Sequence, residues 1–106
     1  MKKFIVFLLF ISVPLVHFAQ SNLPDLSIKE DLEALGIGKI FETDNTTIRN
    51  VQLFEIKEFW IVYIKNESLH DILIDKIAKI EFLNSKWGRV IITFKNNKPE
   101  IKINPN

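Results

Sequence analysis

The chain is 106 residues long, with 14 Lys and Arg against 13 Asp and Glu. That length accommodates one domain at most, and the near-balance of charge offers no clustered basic surface for nucleic acid or another polyanion. Having no cysteine, the chain has no disulfide, no lipid-modified Cys, no thiolate nucleophile and no Cys-ligated metal.

The first segment reads as a leader. Lys2 and Lys3 are followed by the apolar run Phe4–Ile11, extended by Val13, Leu15 and Val16, and then by His17, Phe18 and Ala19. A basic start, a short apolar core and a small residue at the cut is the layout of a secretory signal peptide, here residues 1–19 with cleavage after Ala19. His17 stands where a small residue is usual. The alternative is an uncleaved N-terminal membrane anchor, for which the apolar core is short, since a helical span needs about 20 apolar residues. Removing Lys2 and Lys3 with the leader leaves 12 basic and 13 acidic residues, a net charge of −1. The mature chain is therefore expected in the periplasm or outside the cell, with no stable membrane insertion after cleavage and no nucleic-acid partner.

Residues 20–26 form a polar, Pro-containing lead-in, expected to be mobile. Residues 27–106 form one small domain. Ser27 with Glu30 three positions on is a capping box, and Ile28, Leu32 and Leu35 share one helical face. Glu30, Asp31 and Glu33 suit the positive end of the helix dipole, and Gly36 is placed to end the helix. Such a short helix is unstable alone and needs a sheet beneath it. Gly38 adds freedom just before the first strand.

Strands follow in a meander. Lys39–Thr43 is the first, and Asp44 and Asn45 suit a tight turn. Thr47–Ile56 is the second, whose apolar parity switches near Asn50, the mark of a bulge or sharp bend. Phe59–Lys65 is apolar on both parities: Phe59, Ile61 and Tyr63 on one, Trp60, Val62 and Ile64 on the other. A strand covered on both faces reads this way. The stripe of Ile28, Leu32 and Leu35 is the expected cover for its second face, with Trp60 in the core or under the helix. Asn66 and Glu67 turn the chain into Ser68–Ile74.

Asp75–Ile77 reads as one tight helical turn before a strand over Ala78–Leu83. The competing reading is a helix capped by Asp75, with Ile77, Ile80 and Leu83 spaced by threes. Asn84–Gly88 is a loop, Arg89–Lys95 a strand with Val90, Ile92 and Phe94 on one face, and Asn96–Asn97 a turn. The last strand carries Pro99, Ile101 and Ile103 on one face, with lysines that discourage edge pairing, so it belongs at an edge. The fold class is mainly β with one N-terminal α-helix: a small antiparallel barrel or strongly bent sheet of six to seven short strands.

The features Asp44-Asn45, Asn66-Glu67 and Ile77-Ala78-Lys79-Ile80-Glu81 carry a resemblance. Their spacing resembles small exported bacterial domains of unassigned function, in which strands ending in Asp-Gly and Asn-Gly precede an Ile-x-x-Ile-Glu step. Both turns here lack glycine at the second position. The order of helix and bent strands also resembles Sm-like and other SH3-like small barrels. The likeness implies a shape only, because no Sm-type RNA-binding loop is recognisable.

Little catalytic chemistry is on offer. His70 is the only histidine after the leader, and Asp71 beside it points to the opposite face of a strand. A hydrolytic zinc site takes about three protein ligands, and no second His or Cys is there to help supply them. A serine triad would need His70 as its base, and no serine sits in a nucleophile motif. Glu30, Asp31 and Glu33 cluster on a solvent face, where cap and dipole roles explain them. Gly36, Gly38 and Gly88 stand in no phosphate-binding pattern. Asn45-Thr46-Thr47 and Asn66-Glu67-Ser68 match the N-glycosylation pattern, an accidental match in a chain with a bacterial-type leader.

No catalytic residue, metal ligand or cofactor is therefore assigned. Trp87, flanked by Lys86 and Arg89 in a loop, is the candidate partner-binding site; the competing reading is that Trp87 folds over the end of the sheet as a plug. The expected function is a non-enzymatic exported module binding an envelope or extracellular protein through the Trp87 loop or an exposed edge, with an inhibitor or immunity protein as a special case. The alternative is a small-ligand or glycan binder using aromatic residues at the barrel mouth.

Overall fold

A computed structural model describes residues 23–104; the expected leader, its cut after Ala19 and the start of the lead-in lie outside them. Among the described residues there is one α-helix, α1 (Lys29–Leu35), followed by seven strands. These are β1 (Gly38–Glu42), β2 (Thr47–Ile56), β3 (Trp60–Lys65), β4 (Ser68–Leu73), β5 (Ile77–Ser85), β6 (Gly88–Lys95) and β7 (Lys98–Asn104). A single 3-10 turn, Ile74–Lys76, joins β4 to β5. The helix expected as an alternative over Asp75–Leu83 is not formed. No described helix is long and apolar enough to cross a membrane.

All pairings are antiparallel, in one sheet of order β4-β3-β2-β1-β5-β6-β7. The sheet is open: its two ends, β4 and β7, are not paired with each other. It is also not flat. In a flat sheet of this order β4 and β5 would lie four spacings apart, about 19 Å. The three-residue 3-10 turn between them advances only about 8 Å. The sheet must therefore roll until the end of β4 approaches β5. Two backbone hydrogen bonds anchor the ends of that turn to neighbouring strands, Ile74 N–H to Phe59 O beside β3 at 2.9 Å and Thr43 N–H to Lys76 O beside β1 at 3.0 Å.

Local devices supply the roll. Asn50 has φ of 59°, and between Gly38↔Val51 and Ile40↔Ile48 the register gives β2 one extra residue. This is the bend expected near Asn50. A second extra residue, Phe54, sits between Leu53↔Tyr63 and Glu55↔Val62. The return of the apolar parity from Val51 and Leu53 to Ile56 is its mark in the sequence. At the β1–β2 turn Asn45 takes φ of 74°. Asp44 Oδ1 accepts the Thr46 backbone N–H at 3.0 Å and lies 2.6 Å from its hydroxyl. These bonds, the hydroxyl's first, hold the Asp44 carboxyl below the usual carboxylate range.

The core lies inside the roll. Ile40, Val51, Leu53, Ile61, Ile80, Phe82, Val90 and Ile92 are all but inaccessible. Leu32 and Leu35 of α1 join them, and burying two such side chains contributes about 3–6 kcal/mol. That burial is what holds a seven-residue helix that would not persist in water.

Three expectations need correction. The capping box does not form: the N-cap is Ile28, without a side-chain bond, and the Ser27 hydroxyl goes to Asp25 Oδ1 at 2.6 Å. The Asp31 carboxylate instead reaches back to accept the Asp25 backbone N–H at 2.7 Å. The helix does not cover β3; it packs chiefly on β2 and β5, and Ile28 is left exposed. The Asn84–Gly88 loop is shorter than expected, since β5 runs on to Ser85 and the turn proper is Lys86–Trp87. At the end of the lead-in, Pro24 is buried and Leu26 packs against the core.

Two hairpins close with two residues at positive φ: Asn66 and Glu67 at 54° and 66°, Asn96 and Asn97 at 54° and 63°. Such turns match the twist of paired strands. Asparagine tolerates this region, whereas glutamate is strained there. Glu67→Gly is expected to stabilise the fold by about 0.5–1 kcal/mol, part of the relief being offset by the greater freedom of glycine when unfolded. A higher urea midpoint would register it; a lower one would show that Glu67 is not strained.

Candidate functional site

The β3–β4 hairpin presents two unlike faces. Directly opposite residues share a face, so the pairings Leu53↔Tyr63, Ile56↔Ile61 and Ile61↔Ile72 mark the core side. The rows Gln52–Ile64–Leu69, Glu55–Val62–Asp71 and Trp60–Leu73 mark the outer side. On that outer side Trp60 is 42% exposed and Leu69 59% exposed, with Val62, Ile64 and Leu73 half-buried. The two-sided apolar pattern of β3 is thus real, but among the described residues no element covers its second face. Trp60, expected in the core or beneath the helix, stands at the surface because the helix packs elsewhere.

The same hairpin carries an open edge. Counting from the closing pair Lys65–Ser68 of a two-residue hairpin, every second residue of β4 bonds to β3. The bond from Ile74 N–H to Phe59 O keeps this phase. The N–H and C=O groups of Leu69, Asp71 and Leu73 therefore point away from the sheet. The other edge, β7, is blunted: by the same count its outward groups belong to Pro99, Ile101 and Ile103, and Pro99 has no N–H. Lys98 and Lys102 flank it. β4 has no proline and no lysine.

Where this hairpin meets β1 and β2, the rolled sheet leaves a hollow of about 340 Å³ lined by residues of both faces: Glu42, Ile48, Trp60, Tyr63, Asp71, Ile72, Leu73 and Lys76. Burial first, and then the Glu42 and Asp71 carboxylates, raise the Tyr63 phenol above its ordinary pKa. His70 lies exposed on β4, stacked on Tyr63 with ring centres 5.4 Å apart.

The expected site around Trp87 is differently built. Trp87 is half-buried and packed against the core. Its backbone N–H donates to Ser85 Oγ at 3.0 Å, and the Lys86 N–H donates to Ala34 O at 3.0 Å, pinning the turn to the helix end. Arg89 is engaged by Glu81, with Nε donating to Oε2 at 2.8 Å. Lys86 is exposed, its Nζ 5.6 Å from the Trp87 ring centre. The structure thus gathers Lys86, Trp87 and Arg89 on one hairpin, with only Lys86 free to reach outward. What the sequence reading missed is Leu69 and the β4 edge; the absence of lysine and proline from Ser68–Leu73 was the available signal.

No family model, no curated protein and no solved structure matches this chain.

Proposed function

We propose that this chain is an exported, non-enzymatic interaction module that holds a protein partner, in the cell envelope or outside the cell, on the outer face and free edge of the β3–β4 hairpin. The uncovered apolar face of Trp60, Val62, Ile64, Leu69 and Leu73 carries the reading. A contiguous exposed apolar patch on a small domain marks an interaction site, and here it adjoins an edge that lacks the protection β7 has. The rolled sheet acts as a small, open, barrel-like scaffold for that hairpin. The pattern Lys2–Ala19 supports export.

A second reading rests on the hollow beside Trp60 and Tyr63, where an aromatic ring and the Glu42 and Asp71 carboxylates suit a small glycan. Titration with sugars, read by Trp60 fluorescence in a Trp87→Phe variant, favours that reading if saturable.

Leu69→Lys separates the partner reading from a bare surface. It installs on β4 the device that β7 already carries, at an exposed position that leaves the core intact. With the protein immobilised, an envelope protein should be retained by the unaltered chain and lost by Leu69→Lys at unchanged thermal midpoint. Identical retention by both would sink the proposal.

A further inference from the structure

We infer that the β4 edge takes an extended partner segment as an added strand, one in which apolar residues flank a basic residue at alternate positions. This rests on the interaction-module reading and names the chemistry of its partner. The three outward residues Leu69, Asp71 and Leu73 offer unpaired donors and acceptors in strand register, which only another extended backbone satisfies in full. Their side chains, apolar–acidic–apolar, lie on the outer face. Asp71 has Glu67 and Asp75 four positions to either side, with no Lys or Arg between them. Glu55 shares its row across Val62. A strand added here meets Leu69 and Leu73 with apolar side chains and Asp71 with a cation, since opposite charges facing across strands stabilise and like charges destabilise.

A second copy fits poorly on either of its edges. A two-fold pairing of β4 with β4 sets Asp71 opposite or diagonal to Asp71, Glu67 or Asp75 of the other copy in every register that overlaps the strand. Pairing β4 with β7 of a second copy fails differently. The outward β7 residues are Pro99, Ile101 and Ile103, so in an antiparallel pairing Lys98 and Lys102 fall opposite Ser68, His70 or Ile72 instead of Asp71. In a parallel one either lysine reaches Asp71 only with Glu100 opposite Leu69 or Leu73, and Pro99 offers no donor. The occupant is therefore a foreign segment.

The test uses a fluorescein-labelled heptapeptide with valine, lysine and valine at its second, fourth and sixth positions and threonine elsewhere. Its companions carry glutamate for lysine, or N-methyl groups on the amides facing β4. Fluorescence anisotropy against the full chain should show saturable binding of the lysine peptide, binding of the glutamate peptide weaker by about threefold to tenfold, and none of the N-methylated one. Asp71→Lys should reverse the preference between lysine and glutamate. Equal binding of the two charged peptides, insensitivity to N-methylation, or no binding at millimolar peptide each overturns the inference. If any of these occurs while partner retention is still lost in Leu69→Lys, the interaction-module reading stands and only strand addition falls.

Discussion

Gly38→Ala is expected to lower the stability of the fold by about 1–3 kcal/mol, the range for forcing extra atoms into a packed core. A Cβ at position 38 would lie 2.5 Å from Cδ1 and Cε1 of Phe82 and 2.6 Å from the Glu81 carbonyl oxygen. Phe82 is the largest of the fully buried side chains, so moving its ring disturbs the close-packed core around it. The backbone cannot retreat either, because Gly38 is held between Val51 of β2 and Phe82 of β5. The glycine is there for proximity and not for a special φ. Urea unfolding of Gly38→Ala, Phe82→Leu and the double variant tests this. Contacting residues couple by about 0.5–3 kcal/mol, and alanine at 38 should be less harmful once the Phe82 ring is gone. Relief should be partial, since the Glu81 carbonyl remains. A Gly38→Ala protein as stable as the parent would show that β1 and β5 do not approach this closely.

Much of the fold is legible in the residues because its determinants are local. The asparagine pair Asn96-Asn97 and the dipeptides Asp44-Asn45 and Asn66-Glu67 mark three of the turns, and the parity switch at Asn50 marks the bulge there. Alternation of Val90, Ile92 and Phe94 marks β6, while Pro99 and the lysines mark β7 as an edge. Neighbourhood is not local. The apolar stripe of α1 says that it needs a surface, not which one, and β2 and β5 supply it in place of β3. Gly38 shows as a glycine in sequence; only the β1–β5 register reveals Phe82 opposite it. The candidate site was obscured for the same reason. Two-sided apolarity in Phe59–Lys65 reads as burial, because a chain alone does not say whether its own helix will cover a strand's second face. The roll that brings β4 near β5 without pairing them, and leaves β4 an open edge, follows from a strand order that no single segment encodes.

The competing roles of Trp87 are separated by Trp87→Ala, expected to cost about 2 kcal/mol, roughly half the loss for a fully buried aromatic. The ring is half-buried against the core, and its turn is fixed from three sides: Lys86 N–H on Ala34 O, Trp87 N–H on Ser85 Oγ, and the Ser85 hydroxyl on Gly88 O at 2.7 Å. A turn held this way keeps the ring packed on the core, as the plug reading requires. Removing it should therefore lower the urea midpoint, while the affinity for the lysine heptapeptide at the β4 edge stays within about twofold of the parent under native conditions, because well-separated sites act almost independently. The opposite pattern, an unchanged midpoint with loss of partner retention, would return the binding site to the Lys86–Arg89 hairpin. The distinction turns on packing. An anchor for a partner must leave apolar area in water until binding; Trp87 is packed against the core, whereas Trp60 and Leu69 remain 42% and 59% exposed.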